Sequence, residues 1–129
     1  MSTTPDLGIP FVAAGQAQQE VTHNEAIIML QVLLLGALAV LNTPPTTPAE
    51  ADTYIVGTAP TGDWALAANK IATYYGGTWR FIPDVDSDGV DIPMNPRHEG
   101  LEIYVRDNGA GSPTAGSRFR WSGSGWLAL

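Results

Sequence analysis

An unbroken apolar stretch, residues 26–41, restricts the folding of this chain more than any other feature of its sequence. Its 16 residues include one polar side chain, Gln31, and carry no charge. A helix that spans a membrane needs about 20 such residues and is usually flanked by basic anchors, which this stretch lacks. We therefore expect no membrane span, and we expect the stretch to be buried in the core or between subunits.

A helix-start signal stands just before this stretch. Thr22 is a favourable N-cap residue, and Glu25 follows at the spacing of a capping box, in which each side chain bonds the other residue's backbone N–H. We predict a helix from Thr22 to about Gln31. Residues 32–41 could continue the helix or form a buried strand, because an unbroken apolar run has no period that separates the two; we favour the strand.

Three large side chains of the stretch, Ile27, Leu30 and Leu34, recur at the spacing of one helix face. Only 15% of the chain is charged, against about 25% in ordinary soluble domains, which indicates that a partner covers part of the surface. We predict that these three residues and Leu38 form the interface of a homo-oligomer.

Two segments in the second half of the chain resemble each other. In each, an aromatic residue is followed by a glycine-bearing turn and, five positions on, by a tryptophan: Tyr74 precedes Trp79, and Trp121 precedes Trp126. Glycine permits the tight turn, and the two aromatics can pack across a hairpin. We interpret each segment as the hairpin of a repeated three-strand unit; the alternative is chance similarity between two short segments.

Together these patterns predict an α+β fold that is mostly β. We expect an extended N-terminal arm over residues 1–21 and a single domain over residues 22–129. Along the domain we expect a helix with the apolar segment, a first β unit that opens around Tyr54, an acidic and proline-rich loop, and a second β unit that opens around Tyr104. Their predicted bounds are 22–41, 53–82, 83–100 and 101–129.

The charge balance and the residue types exclude several kinds of partner and chemistry. The net charge is −7 and the six Lys and Arg residues are scattered, whereas nucleic acids bind clusters of basic side chains. There is no cysteine, so thiol catalysis and zinc–thiolate sites are excluded. His23 and His98 have no ligand or acid partner at a suitable spacing, and no nucleophile motif occurs. We expect no enzyme activity and no cofactor.

Residues 84–89 open like a calcium loop. Asp84, Asp86 and Asp88 alternate with other residues before Gly89, so their carboxylates could converge on a hard cation. The twelfth position of the loop is Asn95 instead of the bidentate glutamate. Calcium binding and a solvated acidic loop both remain open, and we favour the solvated loop.

Four tryptophans, Trp64, Trp79, Trp121 and Trp126, could form a platform on which sugars stack. Aromatic residues at strand spacing lie more often in a core or an interface. The tryptophans therefore support, as an alternative function, a carbohydrate-binding module for attachment to a host surface.

Several sequence blocks carry a family resemblance. The first runs Leu7-Gly8-Ile9-Pro10-Phe11 and continues to Val21-Thr22-His23-Asn24-Glu25-Ala26, and a later one reads Pro96-Arg97-His98-Glu99-Gly100. In these blocks the chain resembles a domain family of unknown biochemical function from phages, prophages and gene transfer agents of alphaproteobacteria. Members of that family are described as tail-fibre, spike or other virion proteins, and they have no established catalytic residues.

The resemblance implies a structural virion protein, made in the host cytoplasm, that assembles with itself and with other virion proteins. Fibre and spike proteins are commonly trimers, so the resemblance also implies a trimer. Because the chain ends at Leu129, where a fibre would continue into a distal receptor-binding region, we expect a fibre or spike base, an adaptor or a capsid decoration.

Overall fold

The computed structural model describes residues 3–107 and 113–129, and within them one α-helix and two small sheets form the predicted α+β fold. Residues 1–2 of the predicted arm and 108–112 of the predicted second β unit lie outside the described residues. The elements are α1 (Gln19–Leu35), β1 (Ala39–Leu41), β2 (Thr53–Val56), β3 (Ile71–Tyr75), β4 (Thr78–Ile82), β5 (Glu102–Tyr104), β6 (Arg118–Trp121) and β7 (Trp126–Ala128).

The segment that follows α1 joins the two sheets. The first sheet has the order β1-β2-β3-β4 and the second the order β5-β6-β7; only the β1–β2 pair is parallel among these strands. Just before β1, Ala37 donates its N–H to the carbonyl of Tyr104 at 2.8 Å, and Leu38 donates to the carbonyl of Thr53 at 2.7 Å. Two successive residues therefore pair with different sheets, and the main core cluster lies where the sheets and α1 meet.

The helix begins earlier than the sequence predicts. It starts at Gln19, after Gln18 in the left-handed region at φ 57°, and no side chain caps it. Thr22 lies inside the helix, where its hydroxyl accepts a hydrogen bond from the Gln16 side chain at 2.6 Å. Glu25 instead forms an ion pair with Arg80 of β4 at 2.9 Å. The predicted capping box is therefore wrong, because tertiary contacts occupy both of its side chains.

The helix also ends later than predicted, at Leu35 rather than near Gln31. Gly36 stops it at φ 98°, where a Cβ would lie 2.1 Å from the carbonyl oxygen of Tyr104. The predicted strand is confirmed only for Ala39–Leu41. Among the residues that the structure describes, no helix is long and apolar enough to cross a membrane.

Both predicted aromatic hairpins form, in matching geometry. Tyr74 pairs with Trp79 across β3 and β4, and Trp121 pairs with Trp126 across β6 and β7. The ring centroids are 5.2 Å apart with an interplanar angle of 68° in the first pair, and 5.4 Å apart at 67° in the second. Each hairpin belongs to a three-stranded antiparallel unit, β2-β3-β4 or β5-β6-β7.

The sequence comparison places Tyr54 and Tyr104 at equivalent positions of the two units, and this alignment is wrong by one residue. When the aromatic pairs are superposed, Ala72 of β3 corresponds to Phe119 of β6. Ala72 pairs with Tyr54, whereas Phe119 pairs with Ile103. Tyr54 therefore corresponds to Ile103 and not to Tyr104, because strand register follows the hairpin ladders rather than the matching of tyrosines in sequence.

The described N-terminal residues fold back on the domain instead of extending from it. Thr3 and Pro10 form an antiparallel bridge, and Leu7 accepts a backbone hydrogen bond from Asp84 at 3.0 Å. The hydroxyl of Thr3 donates to the carbonyl of Val85 at 2.9 Å. This segment, residues 3–10, is therefore a strap over the acidic loop.

Candidate functional site

The outward face of α1 presents an uncovered apolar surface. Ile27, Leu30, Leu34 and Leu35 surround Gln31 along a shallow groove, and we call these five residues the helix patch. Leu34 is the most exposed of the apolar ones, at 88%. The patch lies on the last three turns of the helix and contains no charged side chain.

The opposite face of the same helix is apolar as well. Met29 and Val32 are buried in the main core cluster against the sheets. A helix that is apolar on all sides is usually buried on all sides. The fold covers one side of α1 and leaves the other side in contact with solvent. Burial of the helix patch in an assembly would therefore remove this apolar surface from water.

The predicted interface residues are only partly brought together. Ile27, Leu30 and Leu34 lie side by side in the helix patch, as their spacing indicated. Leu38 lies beyond the end of the helix and does not line the groove. Leu35 was missed because it lies four residues after Gln31, the polar position of the stretch, and so outside the row of Ile27, Leu30 and Leu34. Whether the patch binds another copy stays a prediction.

The four tryptophans do not form a single platform. Trp64 and Trp121 are 0% and 1% exposed, so neither ring can stack on a sugar, and both leave the set of candidate stacking residues. Trp126 lies near the junction of the two sheets, where its indole N–H donates to the backbone carbonyl of Asn69 at 2.8 Å. Trp126 also lines a cleft at that junction, and Trp79 lines an open cleft on the first sheet.

This Trp79 cleft, of about 490 Å³, combines aromatic rings with polar groups. Trp79 stands nearly edge-on to Trp64, with ring centroids 5.0 Å apart, so the buried ring supports the partly exposed one. The side chains that matter chemically in this lining are three aromatic rings, one threonine hydroxyl group and one carboxylate: Tyr74, Trp79, Phe81, Thr46 and Asp63.

The acidic loop is a small hairpin and not a calcium loop. Val85 and Asp91 pair across it, and the Asp86 carboxylate accepts the backbone N–H groups of Asp88 at 2.9 Å and Val90 at 3.0 Å. Within residues 3–107 and 113–129, no group of three or more His, Cys, Asp or Glu side chains could hold a metal ion. The alternative in which Asp84, Asp86 and Asp88 converge on a cation is therefore not formed, because the Asp86 carboxylate bonds the backbone of its own turn.

A buried lysine lies beside this hairpin. Lys70 is 3% exposed, and its ammonium group forms an ion pair with the carboxylate of Asp91. Burial raises the pKa of the nearby Asp84 carboxyl above its ordinary range, and the attraction of Lys70 and Arg80 opposes that rise. This arrangement ties the hairpin to the first sheet.

The two histidines have different surroundings. His23 is exposed on α1, whereas His98 is buried in a short 3₁₀ turn, Pro96–His98. The Nδ1 atom of His98 accepts the backbone N–H of Asn95 at 3.2 Å, so Nε2 carries the proton and donates to the carbonyl of Asp6 at 2.6 Å. His98 therefore fastens the N-terminal strap to the domain.

A sequence profile described as "Protein of unknown function (DUF2793)" matches residues 23–127. The chain belongs to the DUF2793 family. The match begins inside α1 and ends inside β7, so the DUF2793 domain contains both the helix patch and the Trp79 cleft. A comparison with curated proteins gives no match.

Proposed function

We propose that this DUF2793 domain is a structural, non-enzymatic component of a phage-type particle. It serves there as a fibre or spike base, an adaptor or a capsid decoration, and it assembles with copies of itself through the helix patch. The observation that carries the self-assembly is the uncharged apolar face of α1, which the fold leaves uncovered. The virion context rests on the resemblance of the N-terminal and Pro96-Arg97-His98 blocks to virion proteins.

Burial of the helix patch supplies a driving force for association. Covering a fully exposed aliphatic side chain is worth about 1.5–3 kcal/mol. Leu34 is close to that case at 88% exposed, whereas the other three aliphatic side chains of the patch are half-buried and gain roughly half as much. Association costs an estimated 4–15 kcal/mol in lost translational and rotational freedom, so the patch alone gives a weak complex. Contacts around it must add to the interface, which reaches about 800 Å² per partner in stable complexes.

The lack of charge in the helix patch permits a second copy to dock there. Each copy carries a net charge of −7, so most surfaces of two copies repel each other. The helix patch has no charged side chain, and Glu25, the acid that precedes it on the helix, is paired with Arg80. Two or three copies can therefore meet there without juxtaposed carboxylates. Closed symmetry is the usual result, and we propose the trimer that fibre and spike proteins commonly adopt.

The test is the solution mass of the purified chain, measured by light scattering over a range of concentrations. The native chain should form a closed oligomer that dissociates on dilution. Leu34→Glu should shift it to the monomer, because a carboxylate would be buried in the interface. Leu66→Glu is the matched control, since Leu66 is 92% exposed, against 88% for Leu34, but lies outside the patch. This control should keep the native mass.

A monomer at all concentrations up to high micromolar would contradict self-assembly, as would equal effects of the two glutamate substitutions. The virion context is tested separately, by mass spectrometry of density-purified particles from cells that encode the chain. We expect to find the chain in the particle fraction, at a fixed ratio to the other particle proteins. Recovery of the chain only with soluble cell proteins would overturn the virion part of the proposal.

A further inference from the structure

We infer that the Trp79 cleft binds a short neutral saccharide. The cleft lies on the first sheet, between the β3–β4 hairpin and the proline-rich connector that holds Pro45 and Pro48. It is separate from the helix patch, which lies on α1. Saccharide binding therefore adds a second surface to the domain and does not depend on self-association.

The aromatic wall of the cleft suits a sugar ring. Tyr74 and Trp79 pair across the strands, and Phe81 follows Trp79 on the same side of β4. The face of an aromatic ring is negative because of its quadrupole, and it attracts the weakly positive C–H groups on one side of a pyranose. Trp64 behind Trp79 holds the ring in place, so little side-chain freedom is lost when a ligand stacks.

The polar groups of the cleft suit the hydroxyl groups of a sugar. Asp63 is exposed at the rim, and its carboxylate makes no hydrogen bond or ion pair with any part of the chain that the structure describes. It is therefore free to accept two adjacent ligand hydroxyls. Thr46 adds a hydroxyl group that can donate or accept. A few polar groups set among aromatic rings in a cleft of this size are typical of small-molecule sites.

The charge of the cleft favours neutral saccharides over anionic ones. No Lys or Arg lines it, and the one ionisable acid there is Asp63. Phosphorylated, sulfated or uronic-acid sugars would therefore meet a carboxylate without a compensating cation, in a chain of net charge −7. Three aromatic rings and a carboxylate could also hold an organic ammonium ion. The Thr46 hydroxyl and the open shape favour the neutral sugar, because ammonium cages are enclosed and mostly aromatic.

The test is a titration of the isotope-labelled native chain, followed by NMR, with cellotriose, maltotriose and triacetylchitotriose as probes. At least one probe, at up to about 10 mM, should shift the indole N–H of Trp79 and the amide of Thr78. Asp63→Asn should weaken that binding by about tenfold or more, without loss of stability, because Asp63 is exposed and unpaired. Tyr74→Ala should weaken it as well, through loss of a stacking surface.

Tyr75→Ala is the matched control. Tyr75 is the next residue of β3, points to the opposite side of the sheet and lies under the Arg80 guanidinium. The Tyr75→Ala substitution should leave the affinity for the saccharide unchanged. The inference is overturned if none of the three probes shifts cleft signals, if Asp63→Asn binds like the native chain, or if Tyr75→Ala weakens binding as much as Tyr74→Ala. Cleft shifts with choline and with none of the sugars would overturn it in favour of a cation site.

Discussion

The indole N–H of Trp126 donates a hydrogen bond to the backbone carbonyl of Asn69 at 2.8 Å, and this bond ties the second sheet to the first. Trp126 opens β7, and Asn69 precedes β3 with a left-handed φ of 66°. The same indole packs on Trp121 with ring centroids 5.4 Å apart. One side chain thus completes the hairpin of its own sheet and fixes the position of the other.

We expect Trp126→Phe to lower the free energy of unfolding by about 1–3 kcal/mol, because the partly buried carbonyl of Asn69 loses its donor. Urea denaturation followed by circular dichroism measures this loss. Leu127→Ala, at an exposed neighbouring position, should change stability by less than about 0.5 kcal/mol. If both variants unfold at the same urea concentration, the bond contributes nothing to the joining of the sheets.

The glycine at the end of α1 should tolerate no side chain. In Gly36→Ala the new Cβ would meet the carbonyl oxygen of Tyr104 at 2.1 Å, and φ is 98°. The variant should therefore fail to fold or lose more than about 3 kcal/mol, as measured by thermal and urea unfolding.

Gly77→Ala is the control for this effect. Gly77 also has a positive φ, 83°, but a Cβ there meets no atom within 4 Å. Backbone strain alone should cost about 1 kcal/mol. If the two variants lose equal stability, Gly36 and Tyr104 do not lie close enough for a Cβ at Gly36 to clash.

The parts of the fold that were predictable depend on neighbours in sequence. The two hairpins follow from an aromatic, a glycine turn and a tryptophan, and local chemistry alone sets their pairing. The start of α1 was not predictable in this way. Thr22 and Glu25 form a good capping signal, but Gln16 and Arg80 compete for their side chains, and only the folded chain brings those partners near.

The helix patch and the Trp79 cleft also differ in how far neighbours in sequence make them predictable. The helix patch could be predicted for Ile27, Leu30 and Leu34, because helical spacing places them together whatever the rest of the chain does. The Trp79 cleft could not, since its polar groups come from Thr46 and from Asp63 in the 3₁₀ turn Gly62–Trp64, which approach the hairpin only in the folded domain. The four tryptophans indicated sugar stacking, but which of their rings are exposed depends on tertiary packing. Two of the four are buried and cannot contact a sugar.

His98 should hold the N-terminal strap more strongly than its neighbour Arg97 does. His98 is buried and donates to the backbone carbonyl of Asp6, whereas Arg97 pairs with the Asp6 carboxylate at 2.8 Å in solvent. We expect His98→Ala to cost about 1–3 kcal/mol and to raise hydrogen exchange at Gly8, whose amide bonds the carbonyl of Thr4.

Arg97→Ala should cost less than about 1 kcal/mol and leave that exchange unchanged, because exposed ion pairs contribute little. Hydrogen exchange followed by mass spectrometry distinguishes the two variants. Faster exchange at Gly8 in Arg97→Ala than in His98→Ala would mean that the surface ion pair, and not the histidine, anchors the strap.

The half-buried carboxyl of Asp84 should make stability depend on pH. Burial is the largest cause of its raised pKa, so in the folded chain it keeps its proton to a higher pH than it does in the unfolded chain. Where the folded state binds more protons, stability falls as the pH rises. Asp84→Asn removes this loss. The variant should match the native chain near the ordinary pKa of aspartate, about pH 4, and become progressively more stable than it as the pH rises to 7.

Urea denaturation from pH 3.5 to 7, at constant ionic strength, measures whether Asp84→Asn gains stability over the native chain as the pH rises. Asp88→Asn is the control, because it removes an exposed carboxyl from the same hairpin and changes the net charge equally. A stability gain common to both variants reflects relief of the net negative charge, and only the excess in Asp84→Asn reflects burial. If Asp84→Asn is instead less stable than the native chain at pH 7, the attraction of Lys70 and Arg80 outweighs burial and Asp84 is a stabilising charge.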